Sequence, residues 1–440
     1  MLTAKNYRAF HHLAIILATL SAAAYAFFII TLSQNIPIYD DYVDGVPFAL
    51  SYMEATGLKE QLELIFSQYN QHRIAFNRLL YSLNLEFSGE INFYFITLVG
   101  NLNLFVLAFC YYKLVCKTEH SQIATACIAL LLFQLNYFHT ALWPMASVAN
   151  FSVLPMALAC LIYLEKTDSK LSYAAAIIIS AITTITLGSG QFILLAGALM
   201  IAIQLKRASL PLMHWRLTTW IVTSSIILLY YFRGYNNPVV SFGKLFEMFL
   251  QDPSQYLLTF IALLGSSFAY EQQSLAILFG LTAIALSCFL LYRCAYQHLA
   301  ASCFALFLLM AIAALTLSRT WAGIDALIAV ERYHFISLNY WLCLFLLWFL
   351  TAHGKTKING LIIVSCISAS IALHSYITQY DLAQAYTQKK TTGLRHWLET
   401  GKGGQLMNPV FTDVPAAHKK LGELIDKGYY QPDLKGINKN

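Results

Sequence analysis

Charge is scarce in this chain. Asp, Glu, Lys and Arg make up 11% of its 440 residues, against about 25% in a soluble globular domain. Hydrophobic residues fill 58%. That balance excludes an ordinary soluble domain and reads as a polytopic membrane protein. The net charge of +6 is dispersed, with no basic block, so nucleic acid is not an expected partner. Nine cysteines are present, none with metal-ligand spacing and none in the long polar stretches. A disulfide framework is therefore not expected, and they read as small apolar residues inside helices. An internal repeat is also missing, which weighs against transporters built from inverted halves. The apolar run after Lys5 and Arg8 is too long for a signal-peptide core and lacks a convincing cleavage site, so it reads as an uncleaved first span.

What is present is hydrophobic runs. A span needs roughly 20 apolar residues. Such runs fall near 13–33, 91–112, 121–138, 145–164, 171–187, 190–205, 217–232, 274–292, 299–317, 332–351 and 358–376. A twelfth, 255–270, is short and reads as re-entrant or interfacial. The expected fold is all-α: a transmembrane helical bundle of about eleven spans. Residues 1–376 form the membrane domain and 377–440 a polar tail, with a short helix near Ala416–Lys427. Tyr (27) and Phe (29) are abundant, as expected of rings at bilayer interfaces.

Lys and Arg set the orientation. Lys5 and Arg8 precede the first span; Lys113, Lys117, Lys166, Lys170, Lys206 and Arg207 follow later ones. The turns around His139–Trp143 and Gly188–Gln191 hold no Lys or Arg. The N-terminus is therefore expected in the cytoplasm. The first loop, about 34–90, and the tail are expected outside.

The few charges gather on that outer side. The first loop opens IPIYDDYVDG, with Asp40, Asp41 and Asp44. The plain reading is a solvated helix cap; the chemical one is a general base or a divalent-cation ligand. The loop closes SQYNQHRIAFNRLL, with His72, Arg73 and Arg78. These either touch lipid headgroups or clamp a phosphate, which Arg grips with two parallel hydrogen bonds. Within it, Phe76, Leu80, Leu83 and Phe87 repeat at helical spacing beside a polar edge of Asn70, Arg73, Asn77 and Asn84. That pattern predicts an amphipathic helix on the membrane surface. A third cluster, SRTWAGIDALIAVERYHF, carries Arg319, Asp325, Glu331, Arg332 and His334. Charges at the mouth of a span are often functional, though a Glu331/Arg332 helix start explains them equally. Arg233 lies among aromatics in YYFRGYNNP, a site for interfacial anchoring or substrate contact. Trp143 offers a ring for sugar stacking or for the interfacial belt, and Gly188 and Gly190 allow a tight turn.

The order YDDY after span one, then NQHRIAFNRLL, then Gly188-Ser189-Gly190 and ERYHF each opening a span, resembles polytopic glycosyltransferases of the GT-C superfamily. More narrowly it is similar to bacterial and phage O-antigen-modifying glucosyltransferases. The resemblance implies inverting transfer of a sugar, glucose in that group, from undecaprenyl phosphate. The acceptor would be a lipopolysaccharide O-antigen or related lipid-linked glycan, on the periplasmic face of a bacterial inner membrane. It implies that Asp41 or Asp40 is the catalytic residue; of the two, Asp41 lies nearer the helix start expected at Val43. It further implies that the first loop and the tail shape acceptor recognition together. Asp44, His72, Arg73, Arg78, Arg233, Arg319, Arg332 and His334 are the candidate substrate-binding residues. No cofactor is called for; a divalent cation is compatible with the acids but not implied. The rival readings are a lipid-linked sugar flippase or transporter, a surface-polysaccharide polymerase or ligase, and a membrane scaffold.

Overall fold

The computed structural model describes residues 4–208, 214–236, 242–401 and 414–432. The side chains of Lys5 and Arg8, and tail residues 402–413 and 433–440, lie outside that description. The chain is all-α, 83% helical. A first helix, α1 (Ala4–Leu32), leads into a loop region that folds as α2 (Gly45–Glu54), α3 (Leu58–Phe66), a hairpin of β1 (Gln68–Tyr69) and β2 (His72–Arg73), and α4 (Ala75–Ser88). Then come α5 (Phe93–Val115), α6 (Ser121–Leu132), α7 (Phe138–Ala141), α8 (Pro144–Glu165), α9 (Lys170–Thr184), α10 (Phe192–Ala208) and α11 (His214–Phe232). The second half holds α12 (Phe242–Gln251), α13 (Pro253–Gly265), α14 (Gln273–Cys294), α15 (Leu299–Arg319), α16 (Ile324–Ile328), α17 (Glu331–Thr351), α18 (Gly354–Thr400) and α19 (Val414–Asp426).

Eight helical stretches among the described residues are long and apolar enough to cross a membrane: Phe10–Leu32, Phe93–Val115, Pro144–Glu165, Gly188–Arg207, Gln273–Arg293, Leu299–Ala322, Glu331–Thr351 and Gly354–Thr400. The other expected spans are helical too, but shorter or more polar. Helices α6 and α9 have 12 and 15 residues. Helix α11 has 19, diluted by Thr218, Thr219, Thr223, Ser224 and Ser225. The doubtful 255–270 segment is the 13-residue α13 and a following turn. At about 1.5 Å per residue α13 reaches about 20 Å, short of the roughly 30 Å hydrocarbon core. It pairs with α14, where a side-chain carbon on Gly280 would strike the Ile261 carbonyl.

Several polar groups inside the bundle are paired, as a low-dielectric interior favours, while Ser21, Ser152, Ser302 and Ser368 keep hydroxyls without a partner among the described residues. The Tyr25 hydroxyl donates to Asn101 Oδ1 at 2.6 Å, and Asn101 Nδ2 donates to the Ala141 carbonyl at 2.7 Å. The Tyr111 hydroxyl donates to Asn339 Oδ1 at 3.1 Å. Cys110, Cys127, Cys160, Cys303 and Cys343 are buried in helices, while Cys288 and Cys366 are exposed.

One expectation changes. The boundary at 376/377 falls inside α18, an unbroken helix of 47 residues. No Pro or Gly interrupts it between Gly360 and Gly393, and at about 1.5 Å per residue it is about 70 Å long. Its far end packs beside α19 against the first loop: Leu394, Trp397, Leu421, Leu424 and Tyr430 share one core with Val46, Phe48 and Tyr81. The Tyr430 hydroxyl donates to the Asn35 carbonyl at 2.6 Å, and Ile91 N donates to the Tyr429 carbonyl at 2.8 Å. Helix α4 forms where the spacing predicts one. Its polar edge is buried and its apolar edge is exposed: Asn77 and Arg78 lie inside, while Phe87 is 88% exposed. Asn77 Nδ2 donates to the Met145 carbonyl at 2.9 Å, which fixes that face inward.

Candidate functional site

The hairpin and the turn before it decide which charged groups meet. Residues Tyr39–Asp41 form a single 3-10 turn. Adjacent residues there point different ways. Asp41 is fully buried. Its Oδ2 accepts from Ile38 N at 3.0 Å, and its Oδ1 accepts from Met145 N at 3.2 Å and the Tyr81 hydroxyl at 3.5 Å. Burial pushes its carboxyl well above the usual range, against the two backbone donors. Asp40, half-buried, instead lines a cavity.

In the hairpin, Tyr69 pairs with His72 and Gln68 with Arg73, around an Asn70 at φ 47°. Asn tolerates that left-handed conformation, which a two-residue hairpin turn demands. Neighbouring strand residues face opposite sides. Tyr69 and His72 therefore face the cavity together, and Arg73 faces away. Arg73 Nε donates to the Tyr231 carbonyl and its Nη2 to the Arg233 carbonyl, each at 2.6 Å, and its Nη1 to the Phe66 carbonyl. It holds the C-terminal end of α11, where a cation is favoured. Arg233 itself is exposed and does not line the cavity. Arg78 is bound to Asp44, with Nη2 2.5 Å from Oδ1 and both groups buried. Its Nη1 also donates to the Leu64 and Ser67 carbonyls at 3.1 and 2.6 Å. Asp44, Arg73 and Arg78, expected to bind substrate, thus serve to build the loop.

The cavity has a volume of about 350 Å³, at the lower end of ligand sites. Arg319 at the end of α15 and Arg332 in the first turn of α17 bring two cations to it. Among the described residues neither guanidinium has a hydrogen-bond or salt-bridge partner. Arg332 lies 5.9 Å from the Trp143 ring centroid and 5.2 Å from that of Tyr333. Burial raises the Asp40 carboxyl above its ordinary range, against the pull of Arg332, a hydrogen bond with Tyr69 and Arg319; Asp44 adds to the rise. Burial, with Arg319 and Arg332 beyond it, pulls His72 down to about 4, so its ring is neutral at pH 7. Gly188 abuts that ring: a side-chain carbon there would strike His72 Nδ1. The glycine of the LGSGQF turn is thus needed for close approach.

His334 Nε2 donates to the Ile328 carbonyl, and His334 does not line the cavity. Glu331 accepts from His139 N at 2.8 Å and sits 2.5 Å from His139 Nδ1, fastening α7 to α17. Asp325 is exposed. The site also contains residues that sequence reasoning passed over: Tyr69, Asn150, Gln191, Ser318 and Tyr235. Asn150 and Gln191 carried a signal, as carboxamides near the outer ends of apolar runs. Ala311, Ala314 and Leu315 of α15 and Leu245 of α12 make the apolar wall. Residues of the first loop, α8, α10, α15 and α17 thus converge on one space holding one carboxylate, two unpaired guanidiniums and several neutral donors. Comparison with models of known protein families gives no match, and comparison with curated proteins gives none either.

Proposed function

We propose that this chain is an inverting membrane glycosyltransferase that moves a neutral sugar from a polyprenyl phosphate to a glycan acceptor. The observation that carries this reading is the meeting of Asp40 with Arg319 and Arg332 in one cavity walled on one side by apolar residues. Two unpaired guanidiniums beside a lone carboxylate suit a phosphodiester better than a carboxylic acid or an amine. An acceptor hydroxyl is too weakly acidic to attack unaided, and a carboxylate with a raised pKa is the stronger base. The acceptor proton passes to Asp40 as the acceptor oxygen bonds to the anomeric carbon. The bond from that carbon to the phosphate oxygen breaks, and polyprenyl phosphate leaves with the electron pair. Arg319 and Arg332 stabilise the charge that develops on it.

The resemblance of the first loop and the ERYHF segment to GT-C enzymes supports the same reading, and suggests glucose, undecaprenyl phosphate and an O-antigen acceptor. The Lys and Arg distribution supports about eleven crossings with α13 re-entrant, the N-terminus cytoplasmic, and the cavity and tail periplasmic in a bacterial inner membrane. The choice of base moves from Asp41 to Asp40, because Asp41 is occupied by backbone donors.

The test is donor use by Arg319→Ala and Arg332→Ala, in purified chain supplied with undecaprenyl-phosphate glucose and lipopolysaccharide. A lost charge-assisted hydrogen bond costs about 1.5–3 kcal/mol, roughly tenfold to a hundredfold in kcat/KM for donor. Wild-type values in both variants would remove the phosphate from this cavity.

A further inference from the structure

We propose that Asp41 is a positioning residue: a buried carboxylate that fastens the Tyr39–Asp41 turn to the first turn of α8 and so aims Asp40 into the cavity. The inference rests on the sugar-transfer reading, and adds to it a role for the second aspartate of the pair.

The turn is under local constraint. Tyr39 takes φ 48°, a conformation rare for a bulky residue, so something must hold it. Asp41 does so from both sides. Its Oδ2 closes the turn on itself by accepting from Ile38 N at 3.0 Å. Its Oδ1 reaches 104 residues along the chain to Met145 N at 3.2 Å. Met145 is the second residue of α8, whose first N–H groups lack helical partners. A carboxylate accepting one of them satisfies the helix and fixes the turn against it. The Tyr81 hydroxyl adds a third donor from α4. The Tyr39 ring lies 4.9 Å from that of Trp143, just ahead of α8.

Helix α8 also contributes Met145, Ala146, Ala149 and Asn150 to the cavity wall. The carboxylate that anchors the turn therefore sets the register between the base and that wall. The charged and titratable groups facing Asp40 or sharing its cavity are Arg332, Arg319, Tyr69, Asp44, Asp41 itself, His72, Tyr235 and Tyr333. Substituting Asp41 leaves the others in place and removes a charge from buried Lys390 and Tyr386, which face Asp41 from α18.

The experiment uses the full chain in lipid nanodiscs, with undecaprenyl-phosphate glucose as donor and lipopolysaccharide as acceptor. Asp41→Asn replaces one acceptor oxygen with an NH2 group that opposes a backbone N–H. The expected result is a fall in kcat of tenfold to a hundredfold per mole of donor-binding sites. KM for donor should stay within about twofold, and the acid limb of the pH–rate profile should persist. Normalising to donor-binding sites removes any loss from unfolded protein. Should Asp41→Asn fail to insert, Tyr81→Phe removes the third donor alone, and a severalfold fall in kcat with an intact acid limb is expected. An unchanged kcat in the variant that inserts would overturn the positioning role. So would disappearance of the acid limb in Asp41→Asn, which would make Asp41 the base. Failure of the sugar-transfer reading looks different: the native chain itself would then transfer no glucose from undecaprenyl-phosphate glucose, whatever stands at position 41.

Discussion

Asp40 and the two arginines act on each other across a small cavity, and that coupling sets the pH behaviour. Burial raises the Asp40 carboxyl, while Arg332, the Tyr69 hydrogen bond and Arg319 oppose the rise. A base must be deprotonated, so kcat/KM should fall as pH drops through that raised pKa, above the ordinary Asp value of about 3.9. Removing Arg332 removes an opposing charge. Arg332→Ala should therefore shift the acid limb to higher pH, beyond its effect on donor KM; a limb that stayed put or moved down would contradict the electrostatic account. His72 has the opposite sign. Its folded pKa of about 4 lies below the ordinary histidine value of 6.5. Between those values the unfolded chain takes up a proton that the folded chain refuses, so stability is lost as pH falls through that window. The difference in Tm between the native chain and His72→Gln should narrow from pH 7 toward pH 4. A constant difference would show that His72 titrates normally. The acids and bases were legible as a cluster, but their division of labour was not. Which of two adjacent aspartates meets solvent depends on a 3-10 turn with positive φ at Tyr39, and no residue pattern announces that.

At the scale of elements, the hairpin and the LGSGQF turn meet through one glycine. Gly188→Ala puts a methyl group onto the His72 ring, which must then be displaced toward the cavity it lines. We expect normal insertion and loss of most transfer activity. Gly57→Ala is the matched control, since nothing lies within 4 Å of a side-chain carbon there; its activity should equal that of the native chain. Equal activity in both variants would show that the ring yields. Apolar periodicity located the long helices well, since length and composition suffice for them. At α4 the helical spacing locates the helix, and the edge that packs on protein is the polar one. In lipid the usual rule turns over: Asn77, Arg78 and Asn84 face protein partners, and Leu79, Leu83 and Phe87 face outward. The sequence pattern alone does not say which solvent surrounds a helix.

On the scale of the molecule, the first loop and the C-terminal segment form one cap, joined through a shared core and the Asn35, Tyr429 and Tyr430 hydrogen bonds. Trp397, 9% exposed, is central to that core. Trp397→Ala should cost about 3–5 kcal/mol locally, seen as rapid protease cleavage between Ala55 and Gln71 while the spans stay intact. Cleavage at the native rate would mean the cap does not depend on the tail. Contacts between residues 35 and 430 leave no local signal in the sequence; only the family resemblance brings the first loop and the tail together, and it does not say which residues join them. The central claim is that Asp40 removes the acceptor proton in a cavity where Arg319 and Arg332 hold the donor phosphate. Its most direct measurement is glucose transfer by purified Asp40→Asn, alongside binding of undecaprenyl phosphate to the same preparation. A general base contributes roughly 10²–10⁴-fold. The account predicts a loss of that order in kcat with lipid binding retained; transfer at the native rate by Asp40→Asn would contradict it.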